Sequence, residues 1–360
     1  MHKSLHLFAA TALSAVALTQ PASAQTATVV ATDGTTISVG GGTAFLTLPD
    51  TRFTFRYDND SGDTVHKQQN LDYSAFSDYG GGFTGSIQTP LGGWVGAVHG
   101  YFSSMSNDRT NTCRNTGSTT CAAADLVDEP GPSTVSAVDT LKARTNKDVD
   151  LWGVAVELDR PTGTPMMPGL FHGTYWGAGF DVRGLDQDMT IKGHDETTDL
   201  FRYKETVDTT YYGGFISFGG EYTLGMLGMG GLWERWGLRS FFEAHAGLYS
   251  ANTDYDGSFT PAGFDTSKLG LSRDDVAFIG GIKFETRKQI SPRASLSLLI
   301  EYEYYSWVPD LRYNDGDNGA EGIVNKTRIG DDDAFSGRTS LRLNIGLGSA
   351  GLYQQPSDVR

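Results

Sequence analysis

The sequence predicts an all-β chain: one antiparallel, up-and-down transmembrane barrel of ten strands, with twelve as the alternative. Three observations predict it. About ten segments alternate apolar and polar residues with period two. Their connections alternate long and short, as long external loops and short periplasmic turns would. A leader precedes the pattern, and no later run reaches the ~20 apolar residues of a spanning helix.

Residues 1–24 read as a cleaved secretory signal. His2 and Lys3 open it, Leu5 to Leu18 is apolar and small, and Ala22-Ser23-Ala24 precedes Gln25. Residues 25–50 follow as a periplasmic segment or an extra-strand segment around Gly40-Gly41-Gly42. The barrel then occupies 51–347, and 348–360 form a polar periplasmic tail. The formal charge is −15, and removing the leader makes it −16. That excludes nucleic acid as a partner, because phosphate binding needs clustered Lys and Arg. Cys113 and Cys121 share one polar stretch, and in an exported chain they are expected to form a local disulfide.

The strands follow in order. Arg52 to Tyr57 sets Phe53, Phe55 and Tyr57 against Arg52, Thr54 and Arg56. Phe76 to Thr89 sets Phe83, Gly85 and Ile87 against Thr84, Ser86 and Gln88, and Pro90-Leu91-Gly92-Gly93 is a tight turn. Trp94 to Ser104 puts Val98 and Phe102 outward, with His99 and Tyr101 inward. The longest loop, about 105–147, holds both cysteines. Asp148 to Asp159 shows Trp152, Val154, Val156 and Leu158 outward. Phe171 to Arg183 turns Tyr175, Asp181 and Arg183 inward, and a charged loop spans about Gly184 to Asp208. Thr209 to Leu224 and Gly237 to Ser250 come next, around a Gly- and Met-rich turn with Trp233 and Trp236. Asp275 to Arg287, Arg293 to Trp307 and Phe335 to Leu347 complete the set. Of these, Arg293 to Trp307 is the clearest: Leu296, Leu298 and Ile300 face lipid, and Ser297, Glu301 and Glu303 face the lumen. Arginine is expected to be better tolerated at Ser297 than at Leu298.

The leader ending Ala22-Ser23-Ala24 and the final strand Ser340-Leu341-Arg342-Leu343-Asn344-Ile345-Gly346-Leu347 carry a resemblance to the bacterial outer-membrane β-barrel superfamily, its small porin-like members included. The resemblance is architectural and covers most of the mature chain. It implies an integral outer-membrane protein that contacts membrane lipid, lipopolysaccharide and the barrel assembly machinery. One departure stands out. Such chains often end on an aromatic residue of the last strand, whereas this one continues to Arg360.

The inward faces carry Arg52, Arg56, Arg183, Arg239, Lys283, Arg287, Arg293, Arg338 and Arg342. Against them stand Glu157, Asp181, Glu221, Glu243, Glu285, Glu301 and Glu303. In a narrow barrel these groups should pair across strands, with Glu301 and Glu303 beside Arg338 and Arg342. They form either a self-satisfied polar core or charged rows that select solutes. Asn252-x-Asp254-x-Asp256-Gly257 resembles half of a calcium loop, although Gly263 stands where the closing Glu belongs. The expectation is at most a loosely held Ca²⁺ or Mg²⁺ at the external loops, and no other cofactor.

Catalysis is not expected. A barrel protease of the omptin kind would need acid and His pairs at the outer mouth, for which His194-Asp195 and Asp274-Asp275 are the nearest candidates. A barrel lipase would need a nucleophile beside a His, and His172 has none evident. Two functions remain: a narrow, passive or weakly selective pore for small hydrophilic solutes, or a non-conducting barrel whose acidic external loops bind partners or divalent cations.

Overall fold

The computed structural model describes residues 34–49, 56–60, 63–65, 78–114, 119–123, 135–136, 139–162, 171–196, 198–222, 231, 235–313 and 327–347. The signal, Arg52 and the tail lie outside them. In chain order the strands are β1 (Thr35–Thr47), β2 (Arg56–Asp60), β3 (Asp63–Val65), β4 (Asp78–Leu91), β5 (Trp94–Arg114), β6 (Thr119–Ala123) and β7 (Val135–Ser136). After them come β8 (Thr140–Thr162), β9 (Phe171–Asp195), β10 (Thr198–Tyr222), β11 (Leu238–Pro261), β12 (Ser267–Ser291), β13 (Ala294–Arg312) and β14 (Arg328–Leu347). Ten of them close a ring in the order β1-β14-β13-β12-β11-β10-β9-β8-β5-β4, every pair of neighbours antiparallel. Closure leaves no free sheet edge, which a spanning sheet in lipid requires.

Large apolar side chains face outward in a band around this ring, among them Val39, Phe83, Val156, Phe180, Ile216, Leu248, Phe278 and Leu341. On β14 the band runs from Phe335 to Leu347. At a tilt of about 40° that length covers roughly 30 Å of height, a hydrocarbon thickness.

The strand count is ten, but the first wall strand is β1, not the expected Arg52–Tyr57. The triple glycine hid it, because Gly40, Gly41 and Gly42 have no side chains with which to display a period. Their value is close approach: a Cβ on Gly42 would collide with the Thr339 carbonyl of β14. Arg56 instead begins β2, in a separate four-stranded sheet of order β3-β2-β6-β7. That segment alternates well but is shorter than the ~9–11 residues needed to cross a bilayer at a tilt.

The long loops are also revised. The expected charged loop at 184–208 is strand almost throughout: β9 and β10 stay paired up to Asp195 and Thr198. β11 and β12 likewise run on to Pro261 and Ser267, and β5 and β8 to Arg114 and Thr140. Residue parity never changes along these extensions; the chemistry on each face does. On β10 the odd residues from Phe201 onward face inward. In the band they are Gly213, Phe215, Ser217 and Glu221, and beyond it Phe201, Tyr203, Val207 and Tyr211. Outward, Ile216 and Tyr212 give way to Thr210, Asp208, Lys204 and Arg202. The strand leaves lipid, so its outer face becomes polar and its inner face becomes a core. At the other end, Leu91 and Trp94 pair across Gly92 (φ 60°) and Gly93 (φ 94°), a two-residue hairpin that needs positive φ at both positions.

Candidate functional site in the barrel lumen

The inward face of the membrane-level wall is polar, and its charged groups meet in layers. Nearest the short-turn end, Arg239 forks onto Glu221 with bonds of 2.7 and 2.5 Å. Arg287 pairs with Glu285 at 3.0 Å, and both arginines lie over the Phe241 ring. Arg342 donates to Ser86 Oγ at 2.8 Å. Above them, Lys283 Nζ contacts Glu243 at 2.8 Å and Glu301 at 3.8 Å. Tyr175 donates to Glu243 at 2.8 Å, Ser217 donates to Glu157, and His99 Nε2 lies 3.5 Å from Glu157.

The next layer reaches across the lumen. Arg183 bonds Glu303 at 2.6 Å and Asp181 at 2.7 Å. Arg338 bonds Glu301 at 2.9 Å and Glu303 at 3.2 Å, and His245 Nε2 lies 3.3 Å from Glu303. Tyrosines sandwich the two guanidinium groups: Arg338 sits 3.4 Å from the Tyr101 ring centre, and Arg183 sits 5.5 and 5.9 Å from those of Tyr249 and Tyr305. Arg183, Arg338, Glu303, Asp181 and His245 are all buried. Glycine makes room for the large groups: a Cβ on Gly153 would stand 2.6 Å from Tyr101, and one on Gly281 would stand 2.6 Å from His245.

An apolar core fills the lumen above that layer. Val149, Leu151, Leu185, Tyr211, Ile279 and Trp307 pack in one cluster. Leu141, Ile191, Phe201, Tyr203 and Phe259 pack in a second at the outer end, with Cys113 among them. A cavity of about 20 Å³, the size of one water, lies among Lys147, Gln187, Glu205 and Tyr313.

The structure brings together on the inner wall Asp181, Arg183, Glu221, Arg239, Glu243, Lys283, Glu285, Arg287, Glu301, Glu303, Arg338 and Arg342. Arg56 is not on that wall, for it starts a strand outside the ring, and Arg293 is exposed at a turn. Tyr101 and His245 face inward as the period-two reading of their strands expects, but their convergence with Tyr249 and Tyr305 on Arg183, Arg338 and Glu303 was missed, because period two gives a face and not a partner across the lumen. Cys121 lies on β6, paired in register with Arg56.

Asn252, Asp254 and Asp256 form no calcium loop. They stand on the straight strand β11 and face outward. Alternate strand residues lie ~7 Å apart and cannot converge on one ion at ~2.4 Å. Among the described residues no group of three His, Cys, Asp or Glu could hold a metal. The protease candidates are also apart. His194 pairs with Asp199 at 2.6 Å at the tip of the β9–β10 hairpin. Asp274 lies opposite Asn252, which aligns through Thr210 with Gly184, ten residues lower on β9.

No family model and no curated protein matches the chain. Solved structures do. The outer-membrane protease OmpT of Escherichia coli aligns over 90% of this chain and 100% of its own, at 9% identity and a TM-score of 0.48. A FadL homologue of Pseudomonas aeruginosa aligns over 87% and 90%, at 7% identity and 0.25. The toluene transporter TbuX of Ralstonia pickettii aligns over 88% and 90%, at 9% identity and 0.20. These likenesses concern fold and carry no activity across. The deciding observation is the chain's own: a closed ring, apolar outside and charged inside, over one hydrocarbon thickness. The fold is that of a membrane-spanning β-barrel.

In the barrel's extension beyond the lipid, one buried acid stands apart. Glu205 accepts bonds from Tyr313 at 2.9 and 2.8 Å and from Tyr203. Burial pushes its carboxyl up to about 7, against the pull of the two phenols and Lys147. The folded chain therefore binds this proton more tightly than the unfolded chain does. The stabilisation is complete below the ordinary carboxylate value and disappears as pH rises through about 7. The expected loss between pH 4 and pH 8 is about 3 kcal/mol at this site. Glu205→Gln should remove that slope, as read from denaturant midpoints at the two pH values. An unchanged slope would show that Glu205 does not titrate as argued.

Proposed function

We propose that this barrel is closed at rest to hydrophilic solutes and serves as a membrane-held platform whose outer half is the binding surface. The expected passive pore is the less favoured reading. The observation that carries the proposal is the layer of Arg183, Arg338, Glu303, Tyr101, Tyr249 and Tyr305, roofed by a cluster of buried apolar residues to which Tyr249 and Tyr305 also belong. Ten-stranded barrels are narrow enough for their own side chains to fill them. The outer half supplies the surface: strands that continue well past the lipid, and the small sheet in which the two longest connections pair through β2 and β6. A Cys113–Cys121 disulfide would tie that sheet to the end of β5, and we include it in the proposal.

A second reading, a gated conduit, draws on one observation. Tyr101 Oη, Tyr249 Oη and an Arg338 nitrogen in this layer are buried without hydrogen-bond partners among the described residues. A rearrangement that admitted water would satisfy them. Planar-bilayer recording separates the readings. The proposal predicts no discrete steps from folded, inserted protein at any voltage. Voltage-dependent openings would favour the gated conduit, and steady ohmic steps would restore the passive pore.

A further inference from the structure

We propose that the outward face of β8, β9 and β10 binds the phosphate groups carried on the sugar core of the outer-leaflet glycolipid. This does not depend on whether the lumen conducts. Six cations stand exposed on the polar outer face of the strand extensions: Lys142, Arg144, Lys192, Arg202, Lys204 and Lys268. The register sets three of them in one row. Arg144 lies opposite Lys192, and Lys192 lies opposite Arg202. Neighbouring strands are ~4.8 Å apart, so the row spans about 10 Å. Lys204 and Lys268 form a second row, both opposite Ser258.

Like charges directly opposite each other on a sheet are unfavourable and call for a compensating partner. The described residues supply it at Arg144 alone. Arg144 pairs with Asp108 at 2.5 Å, but Lys192, Arg202, Lys204 and Lys268 form no ion pair among the described residues. This is not for want of acid in a chain of net charge −15. Asp150, Asp186, Asp208 and Asp254 form a row of their own across four strands, closer to the membrane. The outer face is therefore banded: apolar, then acidic, then basic.

Height selects the ligand. Lys204 and Arg202 lie eight and ten residues beyond Tyr212, the outermost exposed apolar side chain of β10. At a tilt of about 40° that places them roughly 20–25 Å above the hydrocarbon edge. Phosphates at the membrane surface would meet the acidic row and be repelled. Phosphates borne on sugars further out would meet the basic rows, at the right sign and spacing.

The test uses the folded full-length chain in phosphatidylcholine nanodiscs. The probe is the soluble phosphorylated core oligosaccharide released from lipopolysaccharide, titrated with and without prior phosphatase treatment. Wild-type protein should bind the phosphorylated form. Lys192→Ala/Arg202→Ala should bind about 30-fold more weakly, about fivefold per cation removed. Lys288→Ala, exposed at the opposite end of β12, should bind as wild type does. Heat-modifiable gel mobility verifies that each variant is folded. Absence of wild-type binding at millimolar probe, equal binding by the double variant, or equal binding of the dephosphorylated sugar would each overturn the proposal.

Discussion

Replacing Arg338 with alanine is expected to cost the barrel about 3–5 kcal/mol, the largest single effect in the molecule. The side chain is buried, bonds Glu301 and Glu303, and lies flat on the Tyr101 ring. Its removal leaves two adjacent glutamates in a low-dielectric interior with Arg183 and Lys283 as their remaining cations. The loss should be read from urea unfolding of the refolded barrel in lipid. Arg338→Met/Glu301→Gln removes both sides of one pair while keeping volume, and should recover a large part of it. If the single variant unfolds like wild type, the layer is hydrated and the closed lumen is wrong.

The second large effect lies on the opposite face. Leu298→Arg puts a charge near the middle of the apolar band and should destabilise the inserted barrel by about 2–4 kcal/mol. The structure alters the comparison drawn from sequence. Ser297 does face inward, but it is buried and accepts a bond from Asn344 at 3.1 Å, so an arginine there overpacks a filled interior. The tolerated control is Asp254→Arg, outward and above the lipid. Equal destabilisation by Leu298→Arg and Asp254→Arg would place the band wrongly.

The parts legible in sequence were those where one rule holds along a whole segment. From Ala294 to Tyr304 the outward residues are apolar and, of the inward residues, only Leu299 is not polar, and the observed β13 begins and ends within a few residues of the expected span. Failures came where the rule changed. Beyond the lipid, β10 keeps its parity while its faces exchange polarity, so Arg202, Lys204, Thr206 and Asp208 read as a charged loop. Following the inward residues Phe201, Tyr203 and Val207 in their own right would have extended the strand. β1 failed for another reason: three glycines have no polarity to alternate, and the close approach of Gly40 to Arg342 and of Gly42 to Thr339 appears only once β14 is alongside.

The lumen residues were legible one at a time but not as an arrangement. Period two says that Arg183 and Glu303 both face inward. It does not say that strands β9 and β13, not neighbours in the ring, meet across the axis. That crossing spans the lumen, and it depends on the ring's small diameter and on glycines at positions such as Gly153 and Gly281. The acidic 252–257 stretch shows the converse. Its spacing fits a cation loop, but continuous pairing with β10 and β12 holds it straight.

The most direct test of the closed lumen is single-channel recording of folded wild-type protein beside a variant with Tyr101, Tyr249 and Tyr305 all changed to alanine. The account predicts silence from wild type and conductance steps from the triple variant, whose closing layer has lost its aromatic walls. Steady wild-type conductance at low voltage, unchanged in the variant, would contradict it.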